Sequence, residues 1–217
     1  LTPSAPIRFV YFDLGNVLVG FDPQRGCRNV AAWAGVSPAA VYRAVWDSGL
    51  EDQFEHGRLS PAEFARQVVR NLGLSESLLD RRGQPLLDLL SDMFTPLPEI
   101  LPLVESLRRS GIGVGILSNT CHAHWDWIQR QRWPVCWGWS QKNVLSFEVG
   151  HMKPAADIYA AAQRQAGVPA EQLFFTDDRE ENVAGALAAG WQAAPFLGAQ
   201  DLIRQLERRL PELCQPR

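Results

Sequence analysis

The chain is short of cysteine, of long apolar runs and of positive charge, and each shortage removes a class of function. Its 217 residues include four cysteines, Cys27, Cys121, Cys136 and Cys214, scattered without any C-x-x-C pairing. Neither a zinc knuckle nor a redox dithiol is therefore expected, and the thiols read as unpaired ones of a reducing compartment. No apolar run approaches the length of a membrane span, and residues 1–6 lack a charged start followed by an apolar stretch. These features predict a soluble, cytoplasmic protein with no membrane partner, although a chain beginning at Leu1 leaves its true start open. The formal net charge of -3 comes from 21 basic and 24 acidic side chains, which is not the broad basic face of a nucleic-acid binder. A hydrophobic share of 46% beside a charged share of 21% also sets aside the disordered, collagen-like and coiled-coil classes.

What the chain does contain is a series of short apolar runs that stop at polar residues. Residues 7–12 (IRFVYF) end at Asp13, 113–117 (GVGIL) at Ser118, and 173–176 (LFFT) at Asp177, with a shorter run at 144–146. Such runs read as buried parallel strands. Helical patterns separate them: 100–109 carries Leu101, Val104 and Leu107 before Gly111, while 155–165 stops at Gly167 and 181–189 at Gly190. Strand and helix alternation predicts a Rossmann-like α/β core, a parallel sheet flanked by helices. Residues 21–98 differ, because every periodic segment there is helical. Ser60, Pro61 and Glu63 form a capping-box pattern leading into Phe64, Val68 and Leu72 and stopping at Gly73, and further helices are expected over 25–34, 38–47 and 84–93. The predicted organisation is a catalytic core of residues 1–20 and 99–217 with an all-helical cap, 21–98, inserted after the first strand and returning through a hinge at 95–98.

In open parallel sheets ligands bind beyond the carboxyl ends of the strands, so the polar residues that end the runs should converge. They are Asp13, Ser118 with Asn119, and Asp177 with Asp178, joined by Lys153 of the Gly150-His151-Met152-Lys153-Pro154 turn. Carboxylates, a hydroxyl, an amide and a lysine suit a dianionic phosphate beside a divalent cation. Taken in order, FDLGNVL (12–18), ILSNT (116–120), Lys153-Pro154, and FTDD (175–178) with Asn182 resemble the motifs of the haloacid dehalogenase-like hydrolases. Residues 53–60, and Ser118, Asn119 and Thr120 with His124, are similar to segments of the branch containing glucose-1-phosphate phosphatase and the N-terminal phosphatase domain of soluble epoxide hydrolases.

That resemblance implies a role for each motif residue. Asp13 would be the nucleophile, forming an aspartyl-phosphate. Mg2+ would be held by the Asp13 carboxylate, the Gly15 carbonyl and Asp178, with Asp177 supporting and Asn182 orienting that loop. Lys153 would neutralise Asp13 and phosphate, and Ser118 with the Asn119 backbone would bind phosphoryl oxygens. His124 and His56 are the further substrate-binding candidates. Glu55, His56 and Arg58 precede the capped helix, where either substrate-selecting side chains or an exposed turn are expected.

One position departs from the family pattern. Most phosphatases of the superfamily carry a second aspartate two residues after the nucleophile, as acid to the leaving alkoxide and base to water, whereas this chain has Gly15 there. Loss of that group removes roughly two to four orders of magnitude in rate for a poor leaving group. Three readings follow: a leaving group that needs less protonation, such as the anomeric oxygen of a sugar 1-phosphate; a proton from His124, Asp22, His151 or a cap residue such as His56; or weakened activity. The expected function is a magnesium-dependent phosphatase of a small phosphorylated metabolite, a sugar phosphate among the candidates, acting as monomer or homodimer. The alternatives are a 2-haloacid dehalogenase, which needs neither leaving-group proton nor metal, and a non-catalytic binder of a phosphorylated ligand. Trp125, Trp127, Trp133, Trp137 and Trp139 crowd one segment, either to pack under a loop or associate, or to stack on a sugar or base.

Overall fold

The computed structural model describes residues 5–80, 86–140 and 142–210. Five strands form a parallel sheet in the order β5-β4-β1-β6-β7, with β1 at Phe9–Phe12, β4 at Gly113–Ser118, β5 at Lys142–Leu145, β6 at Leu173–Asp177 and β7 at Gln192–Pro195. The four predicted runs are all strands of this sheet. β7 escaped prediction because QAAP carries little apolar or β-branched signal and sits on the edge, where only one neighbour must be satisfied. β1 is buried throughout and lies between β4 and β6, so every backbone group has a ladder partner and both faces pack: Val10 and Phe12 to one side, Phe9 and Tyr11 to the other.

The helical stretch follows β1. It contains the helices Pro23–Ala34, Pro38–Tyr42, Leu50–Glu55, Pro61–Asn71 and Leu86–Ser91. The Ser60 capping box forms as expected, with the Glu63 side chain accepting from the Ser60 N–H at 2.9 Å and the Ser60 hydroxyl accepting from the Glu63 N–H at 3.3 Å. Two expectations are corrected. The helix read as 38–47 widens into a π-helical turn at Arg43–Asp47, which puts Trp46 on the wall of the cleft described below. The stretch 21–98, read as free of strands, contains β3 (Phe94–Pro96), which pairs antiparallel with β2 (Val19–Phe21), and the segment 95–98 expected as the return hinge starts within it. Three-residue strands leave no period to detect. This ribbon carries the chain into the helical stretch and out of it again.

Side chains then tie the helical stretch onto the core. Its own cluster, with Val30, Val41, Phe54, Phe64, Val68 and Leu90, also takes in Cys121 and Ala123 from the segment after β4. Asp88 accepts a bidentate pair of hydrogen bonds from Arg130 of the helix His122–Gln131. Gly57 stands at φ +70, and a Cβ there would collide with the backbone of Phe147 beyond β5, so only glycine allows this approach. No described helix is long and apolar enough to cross a membrane. Cys27, Cys121 and Cys136 are buried and unpaired, while Cys214 lies outside the described residues, as do 84 and 85 of the helix expected over 84–93.

Candidate active site

Register brings the predicted strand tips to one edge. Phe12 is level with Ile116 of β4 and Thr176 of β6, and the Asp13 N–H donates to Thr176 O at 3.0 Å, so the residues just beyond these positions emerge side by side. β1 is also where the topology reverses, β4 and β5 being laid down on one side and β6 and β7 on the other.

At this edge Lys153 is the hub. Its ammonium donates to Asp13 Oδ1 at 2.7 Å, to Asp177 Oδ2 at 2.6 Å and to Leu117 O at 3.0 Å, using all three N–H bonds. Lys153, Asp13 and Asp177 are 5%, 7% and 0% exposed, so this is a desolvated charge triad. Burial alone would lower the Lys153 pKa, but Asp13 and Asp177 outweigh it and raise it. Asp13 is pushed up to about 7, by burial first and by the Asp177 charge as well, with Lys153 pulling the other way. Asp177 accepts further bonds from Asn182 Nδ2 to both oxygens at 3.0 Å and from the Arg179 N–H at 2.9 Å. Asn119 holds the lysine turn from the other side: its Nδ2 donates to Lys153 O at 2.9 Å and its Oδ1 accepts from the Lys153 N–H at 2.7 Å. Ser118 is buried at the tip of β4.

Asp178 is the exposed member of the acidic set. Its Oδ2 accepts from Asn16 Nδ2 at 2.7 Å, and Asn16 adopts φ 54, a left-handed turn that carries its amide across to this loop. Carboxylate oxygens of Asp13, Asp177 and Asp178 lie within 4.8 Å of one another. Three hard oxygen donors at that spacing fit a divalent cation such as Mg2+. The Asp177 oxygens are already engaged by Lys153, Asn182 and the Arg179 N–H, so Asp13 and Asp178 have the more available lone pairs.

Two adjoining cavities open here. One, of about 170 Å3, is walled by Asp13, Lys153, Asp178 and Asn182; the other, of about 110 Å3, lies beneath the helical stretch between Trp46, Phe94, Glu51 and His124. Four residues line both: Gly15, Phe21, Glu55 and Asn119. Glu55 ends the helix Leu50–Glu55, and its carbonyl lies 2.7 Å from the hydroxyl of Ser146, which also accepts from the Thr120 N–H at 2.9 Å. Its carboxyl pKa is raised to about 8, chiefly by burial and then by the charges of Glu51 and Asp52. A larger open depression of about 670 Å3 lies around Arg108, Arg109 and Gly113, at the amino-terminal end of β4, away from every strand tip.

The remaining candidates separate. His124 is 4% exposed; its Nδ1 lies 2.9 Å from Ser91 Oγ and its Nε2 3.0 Å from Glu51 Oε1. His56 reaches neither cavity, since its Nδ1 bonds back to Asp52 O at 2.8 Å. Asp22 caps the helix Pro23–Ala34 and pairs with Arg28, and His151 is half exposed beside Asp157. Of the four proton sources considered from sequence, His124 is the one that lines either of these two cavities. Sequence reasoning missed Glu51 altogether, and also Ser146 and Asn16 as supports. The position of Glu55 beside a helix start was its one visible signal. Of the tryptophans, Trp127 and Trp139 are buried in the core, Trp125 and Trp133 pack against it, and Trp137 is 47% exposed with the Arg132 guanidinium over its ring.

The fold is thus a parallel sheet with polar side chains gathered at its carboxyl edge and a run of helices after its first strand. The family model for haloacid dehalogenase-like hydrolases matches residues 7–190, and the chain belongs to that family. It is 25% identical to D-ribitol-5-phosphate phosphatase of Bacteroides thetaiotaomicron over 82% of this chain and 85% of that protein. It is 24% identical to (S)-2-haloacid dehalogenase of Pseudomonas putida, over 85% and 82% respectively. Among solved structures, a haloacid dehalogenase family enzyme from Bacteroides thetaiotaomicron in complex with magnesium and inorganic phosphate superposes with a TM-score of 0.72 at 25% identity, covering 87% of this chain and 93% of that one.

Proposed function

We propose that the chain is a magnesium-dependent phosphatase of a small phosphorylated metabolite, sugar and polyol phosphates among its candidates, working through an aspartyl-phosphate. The observation that carries this reading is the pairing of a neutralised, buried carboxylate, Asp13 on Lys153, with a second, accessible carboxylate, Asp178, at the same strand edge. Halide displacement requires the first and has no use for the second. Asp13, Asp178 and the Gly15 carbonyl would hold Mg2+, which when bound supplies positive charge to the phosphoryl oxygens and favours ionised Asp13.

In the first step an Asp13 oxygen forms a bond to phosphorus as the ester P–O bond breaks. Ser118 and the Asn119 backbone hold the equatorial oxygens, and the Lys153 ammonium beside Asp13 supplies positive charge to them. We assign the proton that the leaving oxygen takes up to Glu55, which stands where the phosphoryl and leaving-group cavities meet and where Gly15 offers no acid. At neutral pH its raised pKa keeps it protonated. In the second step its carboxylate takes a proton from water, the water oxygen bonds to phosphorus, and Asp13 leaves as a carboxylate with inorganic phosphate. Asp177 and Asn182 act by positioning Lys153 and the Asp178 loop.

A phosphate-release screen over sugar, polyol and nucleoside phosphates, run with Mg2+ and with chelator, tests the reading. Expected are chelator-sensitive release from at least one class and its loss in Asp13→Asn. Metal-independent chloride release from a 2-haloacid, with no phosphate released from any ester, would establish the dehalogenase reading instead.

A further inference from the structure

Glu51 is a buried carboxylate that, among the described residues, has a close contact with His124 and no hydrogen bond. It is 7% exposed, and neither Oε1 nor Oε2 has a hydrogen-bond partner. His124 Nε2 is close, at 3.0 Å, but lacks the alignment of a hydrogen bond. An unsatisfied buried carboxylate is costly and is retained where a ligand completes it. Glu51 is one of the residues lining the 110 Å3 cavity that adjoins the phosphoryl site, together with Trp46 and Phe94.

We propose that Glu51, held in place by His124, accepts hydrogen bonds from hydroxyl groups on the leaving-group portion of the substrate, so that short polyol and sugar phosphates are preferred over alkyl phosphates of the same length. This rests on the phosphatase reading and names the side chain that selects within it. Two acceptor oxygens side by side match neighbouring hydroxyls, and aromatic walls match the C–H faces between them. Ser91, itself 0% exposed, holds Nδ1 of His124 and so directs Nε2 toward Glu51. A metal ion is the poorer occupant. Cys121 completes a cluster with Glu51 and His124 whose ligand atoms lie within 4.8 Å, but burial and the Glu51 charge hold its thiol well above the ordinary value, so it stays protonated. The charged and titratable groups around Glu51 are thus Asp52 and Glu55 on its own helix and Cys121 and His124 across the cavity.

The measurement is the ratio of kcat/KM for a polyol phosphate (glycerol 3-phosphate or a pentitol 5-phosphate) to that for the alkyl phosphate of equal chain length, in wild type, Glu51→Gln and Asp52→Asn. The wild-type ratio should exceed about 10, Glu51→Gln should cut it by about 10- to 100-fold through the polyol arm, and Asp52→Asn should keep it. A wild-type ratio near one, or an equal loss on both arms in a folded Glu51→Gln protein, would overturn the proposal. So would zinc binding that disappears in Glu51→Gln while the ratio holds. If neither class is turned over, the phosphatase reading falls by itself. Calorimetric binding of the two phosphates to Asp13→Asn, with and without Glu51→Gln, then decides the subsite: tighter polyol binding that needs Glu51 supports it, and equal binding overturns it.

Discussion

The core wall and the helical wall of the cleft differ in how completely their polar groups are satisfied. On the core side Lys153 spends all three protons on Asp13, Asp177 and Leu117, and Asp177 is bonded at both oxygens. On the helical side, among the described residues, neither Glu51 oxygen accepts a hydrogen bond although His124 stands close, and the half-buried Glu55 lies near charges of its own sign. A phosphoryl site that serves every substrate alike can be organised in advance, since the group it binds never changes. The leaving-group side must wait for a partner. Its unmet hydrogen-bonding capacity is where selectivity resides, because a wrong ligand leaves it unmet.

The comparison is broken most severely at Lys153. Replacement by Met leaves Asp13 and Asp177 facing one another in a desolvated pocket, and removing one partner of a buried charge set costs about 3–5 kcal/mol. Lys153→Met should therefore lose both turnover and roughly that much stability in urea unfolding. Asp177→Asn in the same background should recover part of the stability and none of the turnover. A Lys153→Met protein as stable as wild type would mean that the triad is not the strain-bearing unit its burial implies.

Glu55→Gln comes next and is read in the rate. Its folded pKa of about 8 lies above the ordinary carboxyl value, so the proton needed by the leaving oxygen is held below pH 8 and lost as pH rises through it. The wild-type rate on an alkyl phosphate should fall on that alkaline limb. Glu55→Gln should show no such limb and a rate lower by roughly two to four orders of magnitude. With p-nitrophenyl phosphate, whose leaving group needs no proton, the loss should be much smaller. Equal losses on both substrates would reduce Glu55 to a structural residue.

The two walls were also unequally legible in the sequence. A parallel strand buried on both faces is a continuous apolar run, and its first polar residue marks the sheet edge, so Asp13, Ser118 and Asp177 could be found by where the runs stop. Lys153 followed from its position before a helix. Nothing comparable marks the helical wall. Glu51 looks like one more charge on a polar helix, and only tertiary packing of the helix Leu50–Glu55 against the segment after β4 turns it inward while leaving Asp52 in water. Glu55 stands next to His56 in the sequence, and the histidine, the more conspicuous proton carrier, bonds back to its own helix. The β2–β3 ribbon was lost for the simpler reason that three residues have no period.

The smallest effect is expected at Ser60, and it separates the shape of the helical wall from its chemistry. Ser60 satisfies the Glu63 N–H at the start of the helix Pro61–Asn71, five residues beyond Glu55. Ser60→Ala leaves that donor to water and should cost about 1 kcal/mol, or roughly 2–4 °C in Tm for a chain of this size. Glu55 itself is held from elsewhere, by Ser146 at its carbonyl and by the close approach of Gly57 to Phe147. kcat/KM per folded molecule should accordingly stay within about twofold of wild type, measured well below the melting transition. A larger loss would mean that the capped helix, rather than the contact with the core, sets where the Glu55 carboxyl stands.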